Sequence, residues 1–120
     1  MLENLATRVN ADANLVRRGK SISTTFLIAI DDADHLVRVA EGRIVEIKGG
    51  PFITPNYSFA FRASRESWEK LWSPKPIPGF TDIFALVKKK LLRIEGDLHP
   101  LMTHLLYFKG VLAAAGGGAA

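Results

Sequence analysis

The run from Leu91 to Leu112, LLRIEGDLHPLMTHLLYFKGVL, sets the strongest constraint on what this chain can fold into. Leu91 to Glu95 reads as a short strand, which Gly96-Asp97 breaks. Asp97 is a good N-cap, its carboxylate able to accept from orphan N–H groups, and Pro100 falls in the first helical turn where a missing N–H costs little. At helical spacing Leu98, Leu101, Met102, Leu105, Leu106, Phe108, Leu112 and Ala113 share an arc roughly 160° wide, with His99, Thr103, Tyr107 and Gly110 on the other side. Lys109 intrudes late on the apolar arc, where its ammonium can snorkel toward the negative end of the helix. Removing each large side chain from water is worth about 1.5–3 kcal/mol, so this face demands a partner: the chain's own sheet, a ligand or another protein.

Upstream, Leu2, Leu5, Ala6, Val9, Ala13 and Val16 recur at helical spacing and predict a helix over 2–18, weakened by Asn10, Asp12 and Asn14. Three strand-like runs follow: Thr24 to Ile30, His35 to Ala40 and Ile44 to Lys48. The short connections at Asp31–Asp34 and Glu41–Arg43 predict antiparallel hairpins, and Gly49-Gly50-Pro51 ends the meander. Tyr57 to Arg62 alternates, with Tyr57, Phe59 and Phe61 on one face and Ser58, Ala60 and Arg62 on the other. Ser64 is a plausible N-cap for a helix from Arg65 to Leu71. Pro74, Pro76, Pro78 and Gly79 form a connector that no helix can cross, and a second helix starts at Thr81 or Asp82 and closes at Lys88 to Lys90. The order predicts an α+β domain with a five-stranded, mostly antiparallel sheet covered on one face by helices. Because the last strand enters after a helical excursion, a mixed sheet is allowed.

At 120 residues and 48% apolar content this is one folded domain, expected over 1–113, with the Ala/Gly-rich 114–120 as a flexible tail. The absence of cysteine removes disulfides and thiolate metal sites. The first residues lack a signal-peptide pattern and no run reaches the roughly 18 apolar residues of a membrane span, so a cytoplasmic protein is expected. The net charge of +4 is gathered at Arg17-Arg18-Gly19-Lys20, at Arg43 with Lys48, and at Lys88-Lys89-Lys90. These read as solvated helix ends and strand edges, with transient contact to an anionic membrane surface as the sharper alternative; no nucleic-acid motif accompanies them.

Chemistry is sparse. Gly49-Gly50-Pro51 precedes no helix and is not a phosphate loop. His99 and His104 are five apart and diverge by about 140° on a helix, so they cannot share a metal. Asp31, Asp32 and Asp34 lack the spacing and distal glutamate of a calcium loop and read as a turn. No cofactor or metal is expected. What stands out is apolar: Phe26, Phe59, Phe61, Trp68, Trp72, Phe80, Phe84 and Phe108 are many aromatics for one small domain. They form either a filled core or, with Leu101, Met102, Leu105 and Leu112 of the last helix, the wall of a cavity for an elongated apolar ligand. Periodicity does not separate the two.

From Phe59 to Leu112 the chain resembles the sterol carrier protein type-two family, the non-specific lipid-transfer domains. The elements carrying the likeness are the strand at Phe59, the helix start from Ser64 to Trp68, the short helix from Asp82 to Lys90, and Lys90-Leu91-Leu92-Arg93-Ile94-Glu95-Gly96 before the amphipathic helix. The upstream meander fits the same order. The resemblance implies a five-stranded sheet under helices with a hydrophobic tunnel for sterols, fatty acids or fatty acyl-CoA, and carriage without catalysis. It also implies a free-standing domain of bacterial type. Two other readings stand beside it: a protein-interaction or homodimerisation module using the apolar face of the C-terminal helix, leaving monomer and homodimer both open, and a small enzyme whose polar groups gather around Asp97, His99 and His104.

Overall fold

The computed structural model describes residues 2, 4–53, 55–73, 77–80 and 83–116. Strands Thr24–Ile30 (β1), Ala33–Ala40 (β2) and Arg43–Gly49 (β3) form the expected antiparallel meander, joined by two-residue turns. Asp31, Glu41 and Gly42 take positive φ of 53°, 51° and 80°, and the Glu41-Gly42 pair has the left-handed geometry that matches strand twist. Gly42 is required twice over, because a Cβ there would also lie 2.5 Å from the carbonyl oxygen of Val16. The acidic cluster is a turn: Asp31 donates its N–H to the Ala63 carbonyl and accepts the Arg65 N–H on its carboxylate.

Phe59–Ala63 (β4) and Leu92–Gly96 (β5) complete a sheet of order β3-β2-β1-β4-β5. It is mixed, as allowed, but for a different reason: β5 runs antiparallel to β4, and the parallel pair is β1 with β4. β4 adds to β1 on the side away from β2 and runs in the direction of β1. Tyr57, expected beside Phe59 and Phe61, instead packs with Leu36 against the small cluster of Leu27, Ala29 and Ala60 on the opposite face. It precedes the strand and so escapes its alternation.

The predicted helix over 2–18 is two helices, Leu5–Ala11 (α1) and Ala13–Arg18 (α2). Asp12 leaves the helical region (ψ 95°) and caps α2, accepting the Leu15 N–H at 3.1 Å. Arg65–Leu71 (α3) has Ser64 as its N-cap, as expected. Ile83–Lys88 (α4) follows; its expected start at Thr81 or Asp82, like Pro74 and Pro76, lies outside the described residues. Beyond β5 come Leu98–Thr103 (α5), capped by Asp97, and Leu105–Gly116 (α6), which extends through the first three residues assigned to the tail.

The last two helices correct the most specific expectation. His104 leaves helical geometry (φ −119°, ψ 39°), so the apolar arc drawn over one continuous helix is split. Leu101, Phe108 and Leu112 are buried, together with Tyr107 and Val111, which the arc had left out. Gly110 also turns inward, its Cα close enough that a Cβ would lie 2.7 Å from Leu15. Leu98, Met102 and Leu106 remain exposed, as does Ala113. Lys109 reaches over the ring of Phe84, 5.8 Å from its centroid.

Between sheet and helices lies a packed aromatic cluster. Phe26 and Phe59 stack with centroids 5.5 Å apart, and Phe108 meets both edge-on at 5.6 and 5.0 Å. Phe61 packs edge-on against Phe26 and Phe59. Such pairs add about 0.5–1.5 kcal/mol each beyond the burial of their area. Trp68 and Trp72 stack at 4.9 Å; their indole N–H groups donate to the carbonyls of Ala29 (2.9 Å) and Leu112 (2.8 Å). No helix among the described residues is long and apolar enough to cross a membrane.

Candidate functional site

Helices α4 and α5 have six residues each, about 9 Å of axial length, and are too short to roof the edge strand β5. A cleft of about 700 Å³ opens there, inside the ~300–1,000 Å³ range of small-molecule sites. Leu92 and Ile94 of β5 line it, with Phe84 and Val87 from α4 and Leu98, Leu101 and Met102 from α5. Lys90 and Arg93 complete the lining, but strand alternation turns the Arg93 side chain to the face it shares with Glu95 and Arg62, away from Leu92 and Ile94. Apolar lining with one cation, Lys90, is suited to a hydrocarbon body with an anionic end.

Lys90 owes its position to the way α4 ends. It sits in the left-handed region (φ 62°), and the Leu91 N–H returns to the Leu86 carbonyl at 2.9 Å, closing the helix with the motif usually built on glycine. Arg93 pairs with Glu95 at 3.3 Å, and Glu95 also binds Arg62, which reaches Asp34 at 3.6 Å. The Glu95 contact is the main reason the Arg62 guanidinium is held above its usual pKa.

Of the residues expected around a ligand, Phe84, Leu101 and Met102 line the cleft. Phe26, Phe59, Phe61, Phe108, Trp68, Trp72 and Leu112 lie in the packed interior. Phe80 is half-buried beneath the ammonium groups of Lys70 and Lys89, and Leu105 is half-buried beside a smaller groove of about 350 Å³ shared with Arg18 and His104. Sequence reasoning passed over Val87, Lys90, Leu92, Arg93, Ile94 and Leu98 as site residues. The available signal was the alternation of Leu92 and Ile94 on a strand flanked by two very short helices.

The Asp97 carboxylate accepts the backbone N–H of His99 at 3.1 Å, the work of a helix cap. Among the described residues no three His, Cys, Asp or Glu side chains gather as a metal site. Tyr107 is buried, donates to the Gly42 carbonyl at 2.8 Å, and has its hydroxyl pushed up to about 12 by desolvation.

No family model and no curated protein sequence matches this chain. Solved structures do. The crystal structure of sterol carrier protein 2 aligns over 95% of this chain and 92% of that one, with a TM-score of 0.76 at 10% identity. The chain has the sterol carrier protein 2 fold. The palmitated SCP2L2 protein of Aedes aegypti shares this sterol-carrier fold over 88% of this chain and 86% of that one, with a TM-score of 0.55 and 14% identity. A stereoselective inverting sec-alkylsulfatase from Pseudomonas sp. contains it as a part: the alignment covers 92% of this chain but 15% of the sulfatase, with a TM-score of 0.61 and 14% identity. The sterol-carrier fold therefore occurs both in small proteins and as a segment of a larger enzyme.

Proposed function

We propose that this chain is a non-enzymatic lipid carrier that holds the apolar body of a fatty acid, fatty acyl-CoA or sterol in the cleft over β5. The observation that carries the reading is the cleft itself, lined by seven apolar side chains within a sterol-carrier fold. The palmitated relative supports an acyl chain as the cargo class. Each methylene removed from water contributes about 0.8 kcal/mol, so a long chain is held without polar chemistry. Lys90 is the cation of the lining that a carboxylate or phosphate at the end of that chain would meet.

Native mass spectrometry of the purified protein, followed by organic extraction, tests the proposal. Recovery of a fatty acid, sterol or acyl-CoA is the expected result. Val87→Glu places a carboxylate in the apolar lining and is expected to lower fluorescent fatty-acid binding at least tenfold, with folding checked by thermal melting. A protein that carries no lipid and takes up no fluorescent fatty acid would sink the reading. A lipid-free dimer would favour the homodimerisation module instead.

A further inference from the structure

We propose that the chain forms a two-fold dimer in which the outer edge of β3 pairs antiparallel with β3 of a second copy, continuing the two sheets into one. β3 ends the strand order, so among the described residues no strand lies beyond it. Its outer edge is closed at Ile44, whose N–H and C=O are taken by the Asn10 amide. At the other end the Gly50 N–H donates to the Asp34 carbonyl at 2.8 Å, so the Gly50 backbone faces β2. Alternation then turns the backbone groups of Lys48 and Glu46 toward β2 and those of Ile47 and Gly49 outward. Edge groups left open in this way invite another strand.

Charge says which occupant fits and in which register. About a two-fold axis the outward-facing residues of the two strands must oppose one another. Setting Ile47 against Gly49 of the second copy brings the two Lys48 side chains directly opposite, and like charges so placed resist pairing. Centring on Gly49 sets Ile47 against Pro51, which has no N–H to give. Centring on Ile47 sets Glu46 of each copy opposite Lys48 of the other, on both sides of the axis. Both side chains are exposed, and the present pairing of Glu46 with Arg38 is long, 3.7 Å. Beside them Val45, 49% exposed, and half-buried Ile47 share a groove of about 500 Å³ with Leu2 and Ala6 of the N-terminal segment, which the added strand covers. A second copy is the occupant that supplies the matching charges by symmetry.

Sedimentation velocity of the full chain over a concentration series tests the pairing, and wild type is expected to dimerise. Glu46→Lys and Lys48→Glu each set like charges opposite one another twice, and each is expected to weaken the dimer at least tenfold. An equal mixture of the two variants sets lysine against glutamate at both places, as the double variant Glu46→Lys/Lys48→Glu does with itself. Both are expected to recover association. Neither residue lines the β5 cleft, so fluorescent fatty-acid binding is expected to be unchanged in every variant. A monomer at all concentrations overturns the proposal, as does a dimer indifferent to both reversals. Weakening in the single variants without recovery in the mixture overturns it too. A dimer broken by Leu106→Asp but not by the reversals belongs to the C-terminal helix and has the same force. The cleft lies at the opposite edge of the sheet, so a charge-sensitive dimer that carries no lipid supports the pairing and sinks the cargo reading alone.

Discussion

The side-chain amide of Asn10 exchanges two hydrogen bonds with the backbone of Ile44, donating from Nδ2 to its carbonyl at 3.0 Å and accepting its N–H on Oδ1 at 2.8 Å. Asn10 thereby takes the place of a neighbouring strand along β3, an edge of the sheet. The ladder with β2 shifts register at this point, between Arg38 and Val39. Edge strands with free N–H and C=O groups template association, and an amide supplied by a helix blunts that hazard. Replacing Asn10 with Leu is therefore expected to destabilise the fold by about 1–3 kcal/mol and to promote concentration-dependent association. Urea unfolding gives the first number, and light scattering against concentration reads the second.

Tyr107 makes stability depend on alkaline pH. Its pKa is near 10 in the unfolded chain and about 12 in the fold, so the unfolded state loses the proton first. The stabilisation is complete below pH 10 and is lost as pH rises through about 12; at about 1.4 kcal/mol per unit it amounts to roughly 2–3 kcal/mol. Tyr107→Phe should remove that component from the pH dependence and cost about 1–3 kcal/mol at neutral pH, because the Gly42 carbonyl loses its donor. Chemical unfolding of both proteins from pH 8 to 12 compares them; parallel curves would refute the assignment.

Lys90 is held left-handed at a position where glycine is the usual occupant. Lys90→Gly is expected to relieve about 1 kcal/mol of backbone cost and raise the melting temperature, while weakening retention of an anionic ligand in the cleft. A gain in stability with a loss of binding would mark this lysine as kept for its charge. Thermal melts and fluorescent fatty-acid titration of one variant give both readings.

Much of the fold was legible in the chain. The β-branched run at Thr24–Ile30 and the Ser64-capped helix at Arg65–Leu71 carry their own local signals, and the structure places them there. The breaks at Asp12 and His104 were not legible, since helical periodicity continues through both and packing decides them. Asn10 read as a weakness in a helix because its partner, Ile44, is 34 residues away. The cleft was hidden for a related reason. Large aromatics announce themselves in a sequence but fill the space they line, as Phe26, Phe59 and Phe108 do. The open volume falls to aliphatic side chains beside short helices, and nothing local marks them.

The pairing of β1 with β4 has a consequence for the order in which the molecule can assemble. β1 meets β2 across a two-residue turn, yet Phe26 meets Phe59 only after 33 further residues. A nascent chain that has emerged as far as Gly49 can close the meander, but it still presents one flank of its most buried strand to solvent. Local contacts form early and distant ones late, so β4 and then β5, with the cleft it carries, are the last to be secured. Pulse-labelled hydrogen exchange during refolding should show amides of β2 and β3 protected before those of β4 and β5.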